Sequence, residues 1–96
     1  MAFVHVNGID LHYTIDGSQG PWITLSHSLA CNMSAWDEQV ELLKNDFRVL
    51  RFDTRGHGRS SAPPGPYTLE QLAQDVDGLF MHLGTTQTHW LGISMG

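Results

Sequence analysis

The stretch THWLGISMG, residues 88–96, contains the most informative pattern of this 96-residue chain. Residues 88–92 are predicted as a strand, and the strand leads directly into a Gly-x-Ser-x-Gly pattern. A serine on a sharp strand-to-helix turn projects its hydroxyl above the sheet, and side chains two residues before and after it would collide. The pattern therefore predicts that Ser94 is a nucleophile and that Gly92 and Gly96 leave room for its turn.

The segments before this stretch alternate between strand and helix. Residues 22–26 and 47–53 are short, mostly apolar runs, which is typical of strands covered on both faces. A helix is predicted after each of them, and strands joined by such crossover helices lie parallel. At the start of the chain, Asn7-Gly8 separates two more predicted strands and is the strongest two-residue hairpin signal. The sequence therefore predicts an α/β fold with a mixed sheet whose antiparallel edge is the opening hairpin.

Both predicted helices have recognisable end signals. Ser34 is predicted to cap the first helix, with Asp37 as its capping-box partner. Thr68 and Gln71 form the corresponding pair at the start of the second helix. Gly84 is predicted to end that helix, because glycine adopts the left-handed conformation that follows a helical carboxyl terminus.

The loops after the predicted strands carry a second set of motifs. They read SHSL at residues 26–29 and DTRGHGRS at residues 53–60. Together with the serine turn, these loops resemble the α/β-hydrolase fold family, whose members often carry Asp-x-Arg-Gly-x-Gly-x-Ser there. Within that family, Val6-Asn7-Gly8, SAPPGPYT at 61–68 and Gly-x-Ser-Met-Gly are most similar to the amino-terminal part of 3-oxoadipate enol-lactonases. The resemblance covers the whole chain.

The resemblance implies a serine-dependent hydrolysis of a small ester or lactone, without a metal or cofactor. Ser94 would attack the carbonyl carbon, and the N–H groups of Leu29 and Met95 would form the oxyanion hole. Where the family commonly has His-Gly before the first donor, this chain has His27-Ser28. The backbone donor remains, but serine lacks the conformational freedom of glycine.

Three side chains are possible substrate contacts by the same resemblance. Ser28 lies in the proposed oxyanion loop, and Arg55 and Arg59 could attract an anionic substrate. The residues themselves leave a second interpretation open, in which the arginines tie their loop to a nearby carboxylate such as Asp53.

The remaining members of a catalytic triad are expected outside this sequence. In this family an acid and then a histidine follow the serine in chain order, and only two residues follow Ser94. Residues 1–96 are therefore expected to form one incomplete domain that ends at the serine turn and is inactive alone. Three alternatives stay open: a truncated inactive fragment, a half-fold that serves assembly or binding, and another chemistry on the same fold, such as a perhydrolase or a carbon–carbon bond hydrolase.

Composition limits the partners and the compartment. Five Lys and Arg residues against ten Asp and Glu residues give a net charge of −5, which argues against nucleic acid and anionic membranes as partners. No apolar run approaches the length of a membrane span. Cys31 is the only cysteine, so no intrachain disulfide forms, and the expected location is the cytoplasm. We expect Cys31 to be partly buried and inert.

Histidines are numerous but do not form a recognised metal motif. His27 and His57 precede loops at the same end of the sheet as Ser94, so either could serve as a substitute base. Hydrogen bonding to the loop backbone is the favoured interpretation for both.

The last predicted strand would also expose one edge. Residues 88–92 would present unpaired N–H and C=O groups beside apolar side chains, which is typical of an assembly site. We therefore expect a second chain, either a copy of this one or the remaining part of the enzyme, to cover that edge.

Overall fold

A computed structural model describes residues 2–28 and 31–93, which fold as five strands and two α-helices around one sheet. A short 3-10 turn, Met33–Trp36, leads into the first α-helix. The elements in chain order are β1 (Ala2–Val6), β2 (Ile9–Asp16), β3 (Trp22–Ser26), α1 (Asp37–Leu43), β4 (Arg48–Phe52), α2 (Leu69–Leu83) and β5 (His89–Gly92).

The five strands form one mixed sheet in the order β1-β2-β4-β3-β5. The first two strands pair antiparallel across a turn in which Asn7 (φ 49°) and Gly8 (φ 81°) both adopt positive φ, as a tight hairpin turn requires. β2 also runs antiparallel to β4, whereas β3 is parallel to both β4 and β5. The predicted α/β fold with an antiparallel hairpin at one edge is confirmed.

Successive side chains of β4 point to opposite faces of the sheet and contribute to two separate layers of the apolar core. Leu50 and Phe52 face α2, where Leu79 completes a cluster with side chains of the hairpin. Val49 faces the opposite side and packs with Trp36 and with residues of β3 and α1. Both faces of the sheet are therefore covered, which explains why the central strands read as apolar runs.

The end signals of α2 are confirmed except for one hydrogen bond. The Thr68 hydroxyl accepts a hydrogen bond from the Gln71 N–H, and Gly84 ends the helix in the left-handed conformation (φ 70°). The side-chain oxygen of Gln71, however, makes no hydrogen bond within the described residues. Only the Thr68 half of the predicted capping box is therefore formed.

The predicted cap of the first helical segment is wrong. Asn32, in extended conformation, caps the 3-10 turn, and its side-chain oxygen accepts the N–H of Ser34. An asparagine side chain is long enough to reach a donor two residues ahead. Ser34 therefore lies inside the turn rather than before it, and Asp37 begins α1.

β5 pairs on one side with β3 and forms an edge of the sheet in the described part of the chain. Trp90, Leu91 and Ile93, at or just after this strand, are each nearly half exposed. A covering chain at this edge stays a prediction. Among residues 2–28 and 31–93, neither helix has the length and apolar character needed to cross a membrane.

Candidate active site

The carboxyl ends of β3, β4 and β5 meet at one edge of the sheet. Ser26 lies opposite Gly92 in the parallel register, and the Ile93 N–H donates to the Ser26 carbonyl at 3.3 Å. β3 and β5 therefore end side by side at this edge of the sheet. The predicted nucleophile, oxyanion donors and second turn glycine lie outside the described residues: Ser94, Leu29, Met95 and Gly96.

An apolar cavity of about 310 Å³ opens at this edge, between the sheet and the first half of α2. Trp90 forms one wall and packs against the rings of Phe52 and Phe80, with centroids 6.1 and 6.4 Å away. The remaining lining comes from strand ends and the helix: Ser26, His27, Thr54, Leu69, Leu72, Ala73 and Val76. The lining of this cavity is mainly apolar.

Arg55 has a structural role, which corrects its prediction as a substrate contact. It is 5% exposed, and its Nε and one terminal nitrogen each lie 2.8 Å from a different carboxylate oxygen of Asp75 on α2. The same terminal nitrogen donates to the Asn7 carbonyl at 3.0 Å. The hydrogen bonds that Arg55 donates to the Asp75 carboxylate raise the pKa of Arg55, although burial lowers it. Arg55 therefore joins the loop after β4 to the helix and the hairpin.

Asp53 is the centre of a second buried network. One carboxylate oxygen accepts the Met33 N–H at 2.9 Å, and the other accepts the Arg59 N–H at 3.0 Å. The second oxygen also lies 2.7 Å from Nδ1 of His12 on β2. This single carboxylate therefore connects the 3-10 turn, the loop after β4 and the hairpin.

The charged form of Asp53 is favoured by these donors. Burial by itself raises the pKa of this carboxyl, but the N–H groups of Arg59 and Met33 and the ring of His12 lower it by more. The net result is a pKa below the usual 3.8. Asp53 is therefore ionised at neutral pH and acts as an acceptor for backbone donors.

Two more positions of the DTRGHGRS motif serve the same network. A Cβ at Gly58, where φ is +51°, would lie within 2.5 Å of the Asp53 carboxylate. The Ser60 hydroxyl donates to the Asp53 carbonyl and accepts the N–H of His12. The motif that suggested the family therefore fixes the conformation of the loop after β4.

The pH dependence of stability tests the role of Asp53. Because its folded-state pKa lies below that of the unfolded chain, the carboxylate stabilises the fold above pH 3.8. This contribution disappears as the pH falls through the folded-state value. We expect urea unfolding between about pH 5 and about pH 2.5 to show a weaker pH dependence in Asp53→Asn than in the wild type. The exposed control Asp46→Asn should retain the wild-type dependence, and equal slopes for all three proteins would contradict this role.

Backbone hydrogen bonding is confirmed as the role of the two loop histidines. His27 is fully buried, and its two ring nitrogens lie 2.7 Å from the Ser28 carbonyl and 3.0 Å from the Thr54 nitrogen. Nδ1 of His57 lies 3.1 Å from the Arg55 carbonyl. Because both nitrogens of His27 are occupied, this ring is not a substitute base.

The other predicted contacts lie at different places. Ser28 is half-buried, and its hydroxyl donates to the Cys31 sulfur at 3.0 Å. Cys31 is a free, exposed thiol rather than a partly buried one. Arg59 is exposed and lines a separate cavity beside Asp53 and Asp37. Only Ser28 therefore lies in the loop that leads toward the proposed oxyanion hole.

His12 and Asp75 are the buried structural partners that the sequence analysis did not predict. The sequence could have predicted burial of Asp75, because Asp75 shares a helix face with the apolar Leu72 and Leu79. A carboxylate on an otherwise apolar face requires a cation. His12 offered no such signal, since it occupies a polar position in the alternation of β2. Among the described residues, no three His, Cys, Asp or Glu side chains converge as metal ligands would.

Comparison with known proteins identifies the class. The family model described as alpha/beta hydrolase fold matches residues 21–96. Together with the sheet order and the loop motifs, this match shows that the chain belongs to the α/β-hydrolase fold family.

Within this family the chain is similar to enol-lactonases. It is 42% identical over 89 residues to 3-oxoadipate enol-lactonase 2 of Acinetobacter baylyi. The aligned region covers 92% of this chain and 33% of that protein. The crystal structure of the enol-lactonase from Burkholderia xenovorans LB400 superposes with a TM-score of 0.94 at 52% identity. That match covers 98% of this chain and 37% of the other.

Other hydrolases share the same fold at lower identity. An epoxide hydrolase from Vigna radiata superposes with a TM-score of 0.92 at 30% identity. The superposed region covers 99% of this chain and 32% of the epoxide hydrolase chain. The chain spans about a third of the length of the curated enol-lactonases that it matches.

Proposed function

We propose that residues 1–96 supply the nucleophile and the oxyanion hole of a serine-dependent hydrolase that cleaves a small ester or lactone. The parallel register of Ser26 with Gly92 is the observation that carries the proposal. It brings the loop that leads to Leu29 beside the turn that leads to Ser94. A nucleophile and an oxyanion donor must flank the same carbonyl group, and adjacent strand ends satisfy this requirement.

The proposed reaction proceeds through an acyl-enzyme. Ser94 Oγ forms a bond to the carbonyl carbon while a histidine supplied from outside residues 1–96 accepts the hydroxyl proton. The N–H groups of Leu29 and Met95 stabilise the negative oxygen. The bond to the leaving oxygen then breaks, that oxygen takes the proton from the histidine, and water hydrolyses the acyl-enzyme. For a lactone, the leaving oxygen remains attached to the acyl group.

We infer that the substrate is a small enol-lactone that carries a carboxylate. Similarity to 3-oxoadipate enol-lactonases supports this choice. The apolar cavity beside Trp90 is suited to the carbon skeleton of such a molecule. The similarity alone supports the carboxylate, because Arg55 pairs with Asp75 and Arg59 lines a separate cavity.

Substrate comparison tests this choice in the complete protein that carries residues 1–96. We expect kcat/KM for an enol-lactone acid to exceed that for its neutral methyl ester by about tenfold or more, because a charge-assisted hydrogen bond is worth about 1.5–3 kcal/mol. Added salt should weaken this preference. Equal values for acid and ester at all salt concentrations would contradict recognition of the carboxylate.

A further inference from the structure

We propose that the outer edge of β1 is an interaction surface that pairs antiparallel with β1 of a second copy of this chain, across a two-fold axis. β1 is the first strand in the sheet order and, in the described part of the chain, pairs only with β2. Its outer edge lies at the far side of the sheet from β5. This edge is therefore separate from the exposed side of β5, and the inference does not depend on the proposed function.

The hairpin turn determines which backbone groups of β1 face outward. In a two-residue turn with positive φ at both positions, the flanking residues Val6 and Ile9 form a hydrogen-bonded pair. Hydrogen-bonded and non-hydrogen-bonded pairs alternate along an antiparallel ladder. The N–H and C=O groups of Val4 and Val6 therefore point to β2. Those of Phe3 and His5 point away from β2, toward the outer edge.

These outward groups are complementary to those of a second copy. When two β1 strands lie antiparallel with Val4 on the two-fold axis, Phe3 of each strand lies opposite His5 of the other. The two residues of such a pair exchange both of their N–H···O=C hydrogen bonds. The axis produces the pair twice, so every outward N–H and C=O group of Phe3 and His5 gains a partner. A shift of this register by one residue would set outward groups opposite groups that already bond to β2.

The side chains at this edge also favour pairing. Phe3 is 49% exposed, and the side chain of His5 is 71% exposed. Both side chains lie on the same face of the strand, because they are two positions apart. Phe3 of each copy would therefore contact His5 of the other as a cross-strand aromatic pair. Pairing would remove apolar surface from water at two symmetric places.

β1 lacks the features by which proteins usually protect an edge strand. Residues 2–6 contain no lysine, no proline and no acidic side chain. Their register with β2 is continuous from Ala2 to Val6, without a bulge. Charged side chains, proline and bulges are the common means of preventing edges from pairing. Because a strand of five residues gives a small contact, we expect a reversible dimer that dissociates on dilution.

Sedimentation equilibrium of the complete protein that carries residues 1–96 tests the pairing. We expect a dimer at about 500 µM and mainly monomer at about 5 µM. His5→Pro removes an outward N–H and keeps the hydrogen bonds to β2. It should raise the dimer dissociation constant at least about tenfold, because the symmetric contact loses two hydrogen bonds.

A matched variant at the same position separates the backbone from the side chain. His5→Thr also removes the imidazole but keeps the N–H, so its dissociation constant should stay within a few-fold of the wild-type value. Three results would overturn the proposal: a wild-type monomer at about 500 µM, unchanged dimerisation in His5→Pro, or equal losses in both variants.

Amide hydrogen exchange of the wild type, resolved by residue, covers the case in which His5→Pro does not fold. The amides of Val4 and Val6 bond to β2 and should be protected at every concentration. The amides of Phe3 and His5 should exchange rapidly at about 5 µM and become protected at about 500 µM. Rapid exchange of both at the higher concentration would overturn the proposal. Protection of both at every concentration would also overturn it, since another part of the complete protein would then cover this edge.

Discussion

Replacing Ser94 by alanine is expected to lower kcat/KM of the complete protein for a small lactone by at least about 10,000-fold, with little change in stability. The alanine variant lacks the oxygen that forms the acyl-enzyme, so only oxyanion stabilisation and substrate binding remain. The Gly-x-Ser-x-Gly turn keeps its glycines, Gly92 and Gly96, and therefore its backbone.

A serine elsewhere on the surface provides the control for this variant. Ser18 is exposed in the turn before β3, at the opposite end of the sheet. Ser18→Ala should retain full activity. Lactone hydrolysis by Ser94→Ala at more than about a hundredth of the wild-type rate would contradict a nucleophilic role for Ser94.

The largest expected effect on stability comes from Asp75. We expect Asp75→Ala to lower the free energy of unfolding by about 3–5 kcal/mol, because it leaves the Arg55 guanidinium buried without its counterion. The loss also removes an acceptor from the Asn7 side-chain amide, which lies 2.9 Å from the carboxylate. Urea unfolding monitored by tryptophan fluorescence measures the effect.

Matched variants distinguish loss of the ion pair from a general effect on α2. Asp77→Ala changes an exposed aspartate on the same helix and should stay within about 0.5 kcal/mol of the wild type. The double variant Arg55→Met with Asp75→Leu should recover much of the loss, because neither buried charge remains. If Asp75→Ala does not fold, the double variant remains measurable. A double variant as unstable as Asp75→Ala would show that the unpaired guanidinium is not the cause.

Locally encoded features were predictable from the sequence. The Asn7-Gly8 hairpin and the Gly84 helix end each depend on a left-handed backbone at one place, which glycine and asparagine signal directly. The mixed sheet followed from the order of strands and helices. The cap at Asn32 was missed because the same loop also offers Ser34, and local sequence did not decide between them.

Contacts between distant residues were not predictable in the same way. Arg55 was correctly recognised as part of a loop motif, but its partner lies 20 positions away on a helix. Asp53 and His12 are 41 positions apart and meet only because β2 and β4 are adjacent. The Arg55 side chain, which the motif suggested for substrate, therefore proved to hold a loop, since burial and pairing depend on the assembled sheet.

Site-specific labelling tests the central claim most directly. The complete protein is treated with a nitrophenyl phosphonate, which forms an Oγ–P bond as nitrophenolate leaves, and the modified peptide is then sequenced by mass spectrometry. We expect one adduct, on Ser94, that appears in step with loss of lactone hydrolysis. Complete inactivation with the adduct on another residue, or undiminished hydrolysis by protein fully labelled at Ser94, would contradict it.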